Sequence, residues 1–180
     1  VTSNGTGTIT VNAAAQSTND VVLVGASAFT VTNLANGVDV NASAATDTVS
    51  VTTDALASGN ALTVTTGTAN TTVATGASNS AATVTVAGAS LDGADTLTLT
   101  GGAGFQVNGL TANGVTVSSS TTGTVTVNAA DMGPGGAPET FNLDGSTSYV
   151  VQNVGANVTV DASGTTGAVD VTTGFNASLI

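Results

Sequence analysis

Apolar and polar residues alternate in short runs along most of the chain. The commonest unit is a pair of valines separated by one residue, as at Val38–Val40, Val49–Val51 and Val125–Val127, and such pairs recur about every ten residues. A period of two places successive side chains on opposite faces of a β-strand, and the β-branched Val and Thr suit such strands. No stretch shows the i, i+3, i+4, i+7 spacing of an amphipathic helix. The pattern therefore predicts an all-β chain of short strands.

The alternating pattern is itself repeated. Phe29–Thr53 returns without a gap as Tyr149–Thr173, at an offset of 120 residues, and Thr6–Ala14 returns as Thr122–Ala130, at an offset of 116 residues. A looser copy begins at Phe105. What recurs is the ladder of valine pairs and a glycine four positions before Phe29, Phe105 and Tyr149. No group able to carry out catalysis recurs with it.

We therefore expect one repetitive β domain over residues 1–180. Copies of the ladder lie near 6–53, 96–130 and 140–174, with a more degenerate stretch at 54–95. Asp131–Glu139 reads DMGPGGAPE and contains both prolines and the only methionine. Because proline and glycine favour turns, residues 131–139 are predicted to form a surface loop inserted between strands.

Two architectures fit short strands at this spacing. One is a parallel β-solenoid, or β-helix, in which equivalent residues of successive coils stack in columns. The other is an antiparallel β-sandwich, and Asn36-Gly37 also fits a hairpin turn. Recurrence of like residues at like places, together with the absence of Trp, favours the solenoid. Fifteen valines are predicted to point inward: Val31, Val38, Val40, Val49, Val51, Val107, Val115, Val117, Val125, Val127, Val151, Val158, Val160, Val169 and Val171.

The composition excludes several classes of function. The chain has no Lys, Arg, His or Cys, and 11 acidic residues give it a net charge of −11. It therefore lacks the imidazole, thiol and cationic side chains on which most catalysis and phosphate binding depend. Its negative charge also repels nucleic acid and anionic lipid. We expect neither an enzyme nor a nucleic-acid-binding protein.

The same composition bears on location. Without Lys or Arg the chain offers no cleavage site to trypsin-like proteases, which favours an extracellular or cell-surface location. No basic, apolar secretion signal follows Val1, and no apolar run reaches the roughly 18 residues that a membrane helix needs. We expect no membrane insertion. The signal is expected to have been removed or to lie outside this segment, or the chain is a fragment.

A glycine-rich segment carries a resemblance to a known family. Leu91–Gly104 reads LDGADTLTLTGGAG, in which Gly101, Gly102 and Gly104 match the glycines of the nonapeptide G-G-x-G-x-D-x-U-x, whereas Gln106 stands where that pattern has Asp. Over about 14 residues the chain thus resembles the low-lysine, Thr/Gly/Ala-rich repeats of secreted RTX adhesins and haemolysin-type bacterial surface-layer proteins. The resemblance implies a secreted parallel β-roll. It does not carry over the calcium site of the nonapeptide.

Calcium is the cofactor that the side chains themselves would suit. Carboxylate oxygens are its usual ligands, and the acids have no cationic side chain with which to pair. The alternative is that the acids are solvated surface residues. The best candidate calcium ligands are Asp92, Asp95, Asp131, Glu139 and Asp144.

The sequence thus predicts an extracellular structural protein that assembles into a surface layer, sheath or filament. Stable solenoids end in caps, because an open coil leaves backbone groups unpaired and apolar residues exposed. Strand-like sequence here runs almost to both ends of the chain, so we expect head-to-tail assembly of identical copies. The apolar residues predicted to contact the next copy are Phe175, Leu179 and Ile180.

The alternative function is a carbohydrate- or ice-binding adhesin module, whose partner would be a polysaccharide or ice. It rests on pairs of threonines separated by one residue, since flat arrays of such pairs resemble the surfaces of ice-binding proteins. The sequence does not show whether these pairs share one face. They occur at Thr6-Thr8, Thr46-Thr48, Thr63-Thr65, Thr83-Thr85, Thr96-Thr98-Thr100 and Thr124-Thr126.

Overall fold

A computed structural model describes residues 1–17, 20–78, 80–133 and 137–174. These residues form short β-strands and no helix, as the alternating pattern predicts. The strands are β1 (Thr8–Asn12), β2 (Val21–Gly25), β3 (Ala28–Leu34), β4 (Val40–Ala45), β5 (Val49–Thr53), β6 (Ala61–Thr65), β7 (Thr71–Thr75), β8 (Thr83–Ala87), β9 (Thr96–Gly101), β10 (Gly104–Asn108), β11 (Thr116–Ser119), β12 (Val125–Asn128), β13 (Glu139–Gly145), β14 (Tyr149–Val154), β15 (Val158–Thr165) and β16 (Val169–Thr173).

The strands alternate between two parallel sheets. The odd-numbered strands form one eight-stranded sheet in chain order, and the even-numbered strands form the other. Each coil therefore contributes one strand to each sheet, and eight coils stack at the usual strand spacing of about 4.8 Å into a solenoid about 38 Å long. The predicted parallel β-solenoid is confirmed. The sandwich alternative is wrong, because the strand pairs in the described chain are parallel.

The core consists of columns of stacked aliphatic side chains. In the even-numbered sheet one column contains a valine from every strand, because the register aligns one inward position of all eight. Each such valine contributes about 1.5–3 kcal/mol when fully buried. The column runs through Val21, Val40, Val64, Val86, Val107, Val127, Val151 and Val171.

Burial of the predicted inward valines depends on the coil to which they belong. Eleven of the fifteen are buried. The other four, Val158, Val160, Val169 and Val171, lie on β15 and β16, where no further coil is stacked. The first three pack against the core from partly buried positions, whereas Val171 is 45% exposed although it pairs with buried Val151. The period-two pattern thus predicts which side chains point inward, and whether an inward side chain is buried depends on whether another coil covers it.

The two sequence repeats relate strands in opposite sheets. The offset of 120 residues maps β3 onto β14, and the offset of 116 maps β1 onto β12. Local geometry repeats with them: Asn33 and Asn153 are the two non-glycine residues with positive φ in the described chain, at 54° and 59°. The Asn33 amide donates to Asn12 Oδ1 (3.3 Å), and the Asn153 amide donates to Asn128 Oδ1 (3.0 Å). The repeating unit is therefore half a coil, meaning one strand and one turn.

Three tight corners share one construction. Each begins with a glycine of positive φ, at Gly25 (117°), Gly101 (110°) and Gly145 (101°). A Cβ at any of the three would overlap a carbonyl oxygen of the coil beneath, so both backbone conformation and space require glycine. A small residue follows two positions later and a buried aromatic residue four positions later: Ser27 and Phe29, Ala103 and Phe105, Thr147 and Tyr149.

The remaining regions keep the same architecture. The degenerate stretch 54–95 supplies β6, β7 and β8, of which β7 and β8 pair with both neighbours over five residues. β6 pairs over five residues with β8 but with β4 only through Val64 and Thr65. In the predicted insertion 131–139, the described residues 131–133 and 137–138 lie outside strands, and β13 begins at Glu139. The solenoid is thus continuous through the region where its sequence repeat fades.

Candidate functional site

Two of the predicted calcium ligands lie together in the turn between β8 and β9. Asp95 Oδ2 accepts a hydrogen bond from the Asp92 backbone N–H (2.9 Å), and Asp92 Oδ1 accepts one from the Ala94 N–H (3.0 Å). Asp95 is 9% exposed. Both carboxylates therefore bond to backbone N–H groups of their own turn, which is how aspartates commonly stabilise turns.

The other three predicted ligands lie elsewhere. Glu139 Oε2 accepts a hydrogen bond from the Gly133 N–H (2.7 Å) across the loop that also contains exposed Asp131. Asp144, at the end of β13, accepts from the Gly145 N–H (2.8 Å). No three His, Cys, Asp or Glu residues of the described chain form a group able to hold a metal ion. Calcium binding stays a prediction, and any site built on these residues would need backbone oxygens or water.

A hydroxyl-bearing surface covers the outer face of the odd-numbered sheet. One column presents a Ser or Thr from each of six successive strands, about 4.8 Å apart, namely Thr10, Thr30, Ser50, Thr72, Thr98 and Ser118. The column reaches an acid only at Asp144 of β13. We call this outer face, over β1 to β11, the hydroxyl face. This column carries evenly spaced hydroxyl groups and no charge, and four of its six members are β-branched threonines with restricted side chains.

The sequence shows the threonine pairs but not this surface. Thr96, Thr98 and Thr100 lie on the hydroxyl face, whereas Thr63-Thr65 and Thr83-Thr85 lie on the opposite, even-numbered sheet. Successive strands alternate between sheets, so the threonine pairs are divided between the two opposite faces. Placing every second predicted strand side by side would have revealed the hydroxyl face from the sequence.

The even-numbered sheet carries a shallow cleft of about 360 Å³ on its outer side. Gly104 contributes no side chain there, and the polar side chains around it are hydroxyls and the Gln106 amide. The described residues that line the cleft include no acidic or basic side chain. It is lined by Ser80, Thr83, Gly104, Phe105, Gln106, Thr124 and Thr126.

Buried hydroxyls link the coils along one edge of the solenoid. Thr121 Oγ1 shares its hydrogen between the carbonyl oxygens of Gly101 (3.0 Å) and Ala103 (2.5 Å). The Tyr149 hydroxyl likewise lies 3.1 Å from the Val117 carbonyl oxygen and 2.6 Å from that of Asp144. Burial, followed by the nearby Asp144 charge, raises the Tyr149 pKa to about 12. Both hydroxyls are bonded to backbone carbonyl oxygens, so they stabilise the stacking of the coils.

The two ends of the described solenoid leave apolar residues incompletely covered. At one end the inward residues Ile9 and Val11 of β1 are only partly buried, and at the other end Val160 and Val169 are partly buried and Val171 is exposed. Each end therefore presents partly exposed apolar side chains, and among the described residues β1, β15 and β16 each have one edge without a strand partner. Residues 1–3 lie along the corresponding edge of β2, where Thr2 bridges Val24 and the Ser3 N–H donates to the Val24 carbonyl oxygen (2.9 Å). The predicted contact residues Phe175, Leu179 and Ile180 lie outside the described residues, so their role stays a prediction.

Comparison with other proteins gives no family for this chain. No protein-family model matches it, and neither a curated protein nor a solved structure does. The resemblance to secreted RTX proteins accordingly stays a prediction. None of the described segments is an apolar helix of membrane-spanning length.

Proposed function

We propose that this chain is an extracellular structural protein, a non-catalytic β-solenoid rod that assembles with further copies into a surface layer, sheath or filament. The observation that carries the proposal is that the incompletely covered strands β1, β15 and β16 have the same sequence as internal strands of the solenoid. Exposed apolar edges of this kind are normally covered, and a second copy offers a surface that fits them.

The internal coils show what the ends can accept. At one end, β15 and β16 are the 120-residue copies of β4 and β5, and inside the solenoid β4 and β5 are covered by β6 and β7. At the other end, β1 and β2 correspond to β12 and β13, which lie on β10 and β11. Each end is therefore a copy of a surface that is covered elsewhere in the same molecule.

A structural role also agrees with the side-chain chemistry. Asp92, Asp95, Glu139 and Asp144 bind backbone N–H groups of nearby turns, and the buried hydroxyls bind carbonyl oxygens of neighbouring coils. An extracellular location is supported by the absence of Lys and Arg, since trypsin-like proteases have no bond to cleave.

Sedimentation velocity over a range of protein concentrations, with electron microscopy of the same samples, tests the proposal. The parent is expected to form oligomers that lengthen with concentration. Val160→Asp places a charge on the open apolar end and should abolish assembly, whereas Thr159→Asp, on the outward side of the same strand, should leave the apolar contact intact. A parent that stays monomeric at all concentrations would overturn the proposal.

A second candidate function is supported by the hydroxyl face. An ordered, uncharged array of alcohols offers regularly spaced hydrogen-bonding groups to ice or to the surface of a crystalline polysaccharide. Ice-recrystallisation and glycan-binding assays test it with Thr30→Lys and Thr72→Lys, which disrupt the array. Thr85→Lys on the opposite sheet is the matched control. Equal activity in all three variants, or none in the parent, would exclude this face as a binding surface.

A further inference from the structure

The N-terminal segment, Val1–Ser3, occupies the outer edge of β2 and so decides how a second copy can join. Its pairing is parallel: Thr2 bridges Val24, the Ser3 N–H donates to the Val24 carbonyl oxygen (2.9 Å), and the Val24 N–H donates to the Val1 carbonyl oxygen (2.9 Å). The segment therefore extends the even-numbered sheet by one short strand. The first coil thus begins with this segment in the even-numbered sheet and continues with β1 in the odd-numbered sheet.

We infer that the next copy is rotated by half a turn about the solenoid axis, so that its N-terminal segment pairs with β15 and its β1 pairs with β16. The odd-numbered sheet of one copy then continues into the even-numbered sheet of the next. This inference rests on the proposed assembly and specifies its geometry. The partner is a second copy of this chain pointing in the same axial direction, and repetition of this heterologous joint gives a filament.

The sequence repeat indicates which surface the N-terminal segment fits. Val1–Ala14 aligns without a gap with Val117–Ala130, at the offset of 116 residues, and ten of the fourteen residues are identical. The copy of the segment is Val117–Ser119 of β11, in the odd-numbered sheet, and the copy of β1 is β12, in the even-numbered sheet. Inside the solenoid β11 lies on β9 and β12 lies on β10. The segment and β1 therefore resemble strands that lie on an odd-numbered strand and on the even-numbered strand after it, and β15 and β16 are such a pair.

A hydroxyl contact repeats together with the sequence. Ser3 Oγ lies 2.8 Å from Ser27 Oγ, and at the equivalent place Ser119 Oγ lies 3.0 Å from Thr147 Oγ1. Ser119 Oγ also donates to the carbonyl oxygen of Leu99 on the coil beneath (3.1 Å). Among the described residues no strand of the same molecule lies beneath Ser3. The proposed joint places β15 of the neighbouring copy there, where its backbone provides the corresponding carbonyl oxygen.

The rise of the coil favours the same joint. Because the repeating unit is half a coil, each strand stands about half a strand spacing above the preceding strand, in the opposite sheet. The vacant position above β15 is therefore half a spacing lower than the vacant position above β16. The N-terminal segment is likewise half a spacing lower than β1, so a rotated copy fills both positions together. Without the rotation the segment would lie on β16, and β1 would stand a full spacing too far from β15, with backbone groups left unpaired.

Charge and strand direction disfavour contact between like ends. Asp161 on β15 and Asp170 on β16 face outward, whereas the N-terminal segment and β1 contain no charged side chain. A joint between two β15–β16 ends would bring these acids close together, with no cationic side chain in either copy to offset them. A joint between two like ends would also require antiparallel pairing, whereas the strand pairs of the described solenoid are parallel.

The register of the even-numbered sheet specifies which residues meet. Its last three strands share one outward column, formed by Thr126, Val150 and Asp170. Thr10 is the copy of Thr126 at the offset of 116 residues, so β1 continues this column when it lies on β16. The joint therefore places Thr10 of one copy beside Asp170 of the preceding copy. The same register places Val11 on Val171, which is 45% exposed in the single molecule.

Disulfide cross-linking tests this contact directly, because the natural chain has no cysteine. Neighbouring residues of adjacent parallel strands have Cα atoms about 4.8 Å apart, which lies within the range that a disulfide spans. A chain carrying both Thr10→Cys and Asp170→Cys should give a ladder of covalent oligomers under mild oxidation. The two cysteines of one molecule lie at opposite ends and cannot meet. A mixture of the two single variants should stop at dimers.

Matched variants represent the competing joints. Thr8→Cys with Asp161→Cys reports the joint without rotation, because Thr8 and Asp161 occupy the same outward column of the odd-numbered sheet. Each single variant alone reports contact between like ends. Efficient cross-linking confined to the Thr10–Asp170 pair supports the inference. Filaments that give no cross-link in this pair, or that give one in the Thr8–Asp161 pair or between identical single variants, overturn it and leave the assembly itself standing. A parent without oligomers in sedimentation overturns both.

Discussion

Gly101 is the residue whose replacement tests the corner construction most sharply. It turns the chain from β9 into β10 with φ of 110°, and a Cβ there would overlap both the carbonyl oxygen and the hydroxyl of Thr75 on the coil beneath. Gly101→Ala must therefore separate the two coils locally. Thr75 Oγ1 would lose its bonds to the Thr100 carbonyl oxygen and the Ala103 N–H, both 3.2 Å.

The expected loss of stability follows from these contacts. An alanine in this backbone region costs about 1–2 kcal/mol. Two or three displaced hydrogen bonds add about 1 kcal/mol each. The sum, about 3–5 kcal/mol, is a large part of the roughly 5–15 kcal/mol that stabilises an ordinary domain. For a chain of this length it corresponds to a fall in Tm of about 10 °C.

Circular dichroism during thermal and urea unfolding measures the effect against two glycine controls. Gly59 also has positive φ, 79°, but a Cβ there would meet nothing within 4 Å, so Gly59→Ala should cost only about 1 kcal/mol. Gly7 has open space and no positive φ, so Gly7→Ala should be neutral. If Gly101→Ala were no more destabilising than Gly59→Ala, close approach of the coils would play no part and the corner argument would fail.

Four further predictions concern the core, the buried hydroxyls and metal binding. Val40→Asp should lower the free energy of unfolding by several kcal/mol or prevent folding, because it buries a charge among valines. The control Asn41→Asp, which points outward from the same strand, should melt close to the parent. Similar melting temperatures for the two variants would contradict the assignment of Val40 to the inward column. Thr121→Val should lower the free energy of unfolding by about 1–3 kcal/mol, because it removes the hydrogen bond from Thr121 Oγ1 to the Ala103 carbonyl oxygen. Thr66→Val should raise it by about 1 kcal/mol, because Thr66 Oγ1 is buried without a hydrogen-bond partner among the described residues. Urea unfolding midpoints that shift in the opposite directions would refute both expectations. Tyr149, the only tyrosine, has an ordinary pKa of 10 in the unfolded chain and a pKa of about 12 in the folded chain. Its contribution to the free energy of unfolding is therefore complete below pH 10 and is lost as the pH rises to 12. Phenolate absorbance and thermal melting over this pH range measure the two effects together. Calcium binding, predicted from the acids, should raise Tm and be reversed by a chelator; an unchanged Tm at millimolar calcium would exclude it.

The strands and their inward faces could be predicted from the sequence because both are local properties. The alternation around Val40 or Val127 shows within a few residues which side chains point inward. The glycine four positions before each of Phe29, Phe105 and Tyr149 marks a corner of the coil. The pairing of strands is different. The repeat unit is half a coil, so the sequence copies Phe29–Thr53 and Tyr149–Thr173 lie in opposite sheets, and nothing in the one-dimensional pattern says which strands are neighbours.

The surfaces were harder to predict than the core. Whether Val171 is buried depends on whether another coil covers it, which the alternating pattern does not encode. The carboxylates of Asp92 and Asp95 look like metal ligands in the sequence, yet the structure shows them bonded to N–H groups within one turn. Side-chain type alone does not distinguish an acid that stabilises a turn from an acid that binds a cation. The hydroxyl face appears only once alternate strands are placed side by side.

Fibre diffraction from aligned assemblies shows directly whether the solenoids join end to end. If the solenoids stack end to end, the strand spacing of about 4.7–4.9 Å must run along the filament axis through every subunit. We expect a sharp reflection at that spacing on the meridian, from filaments one solenoid wide. A 4.7–4.9 Å reflection on the equator, or no ordered filament at any concentration, would contradict it.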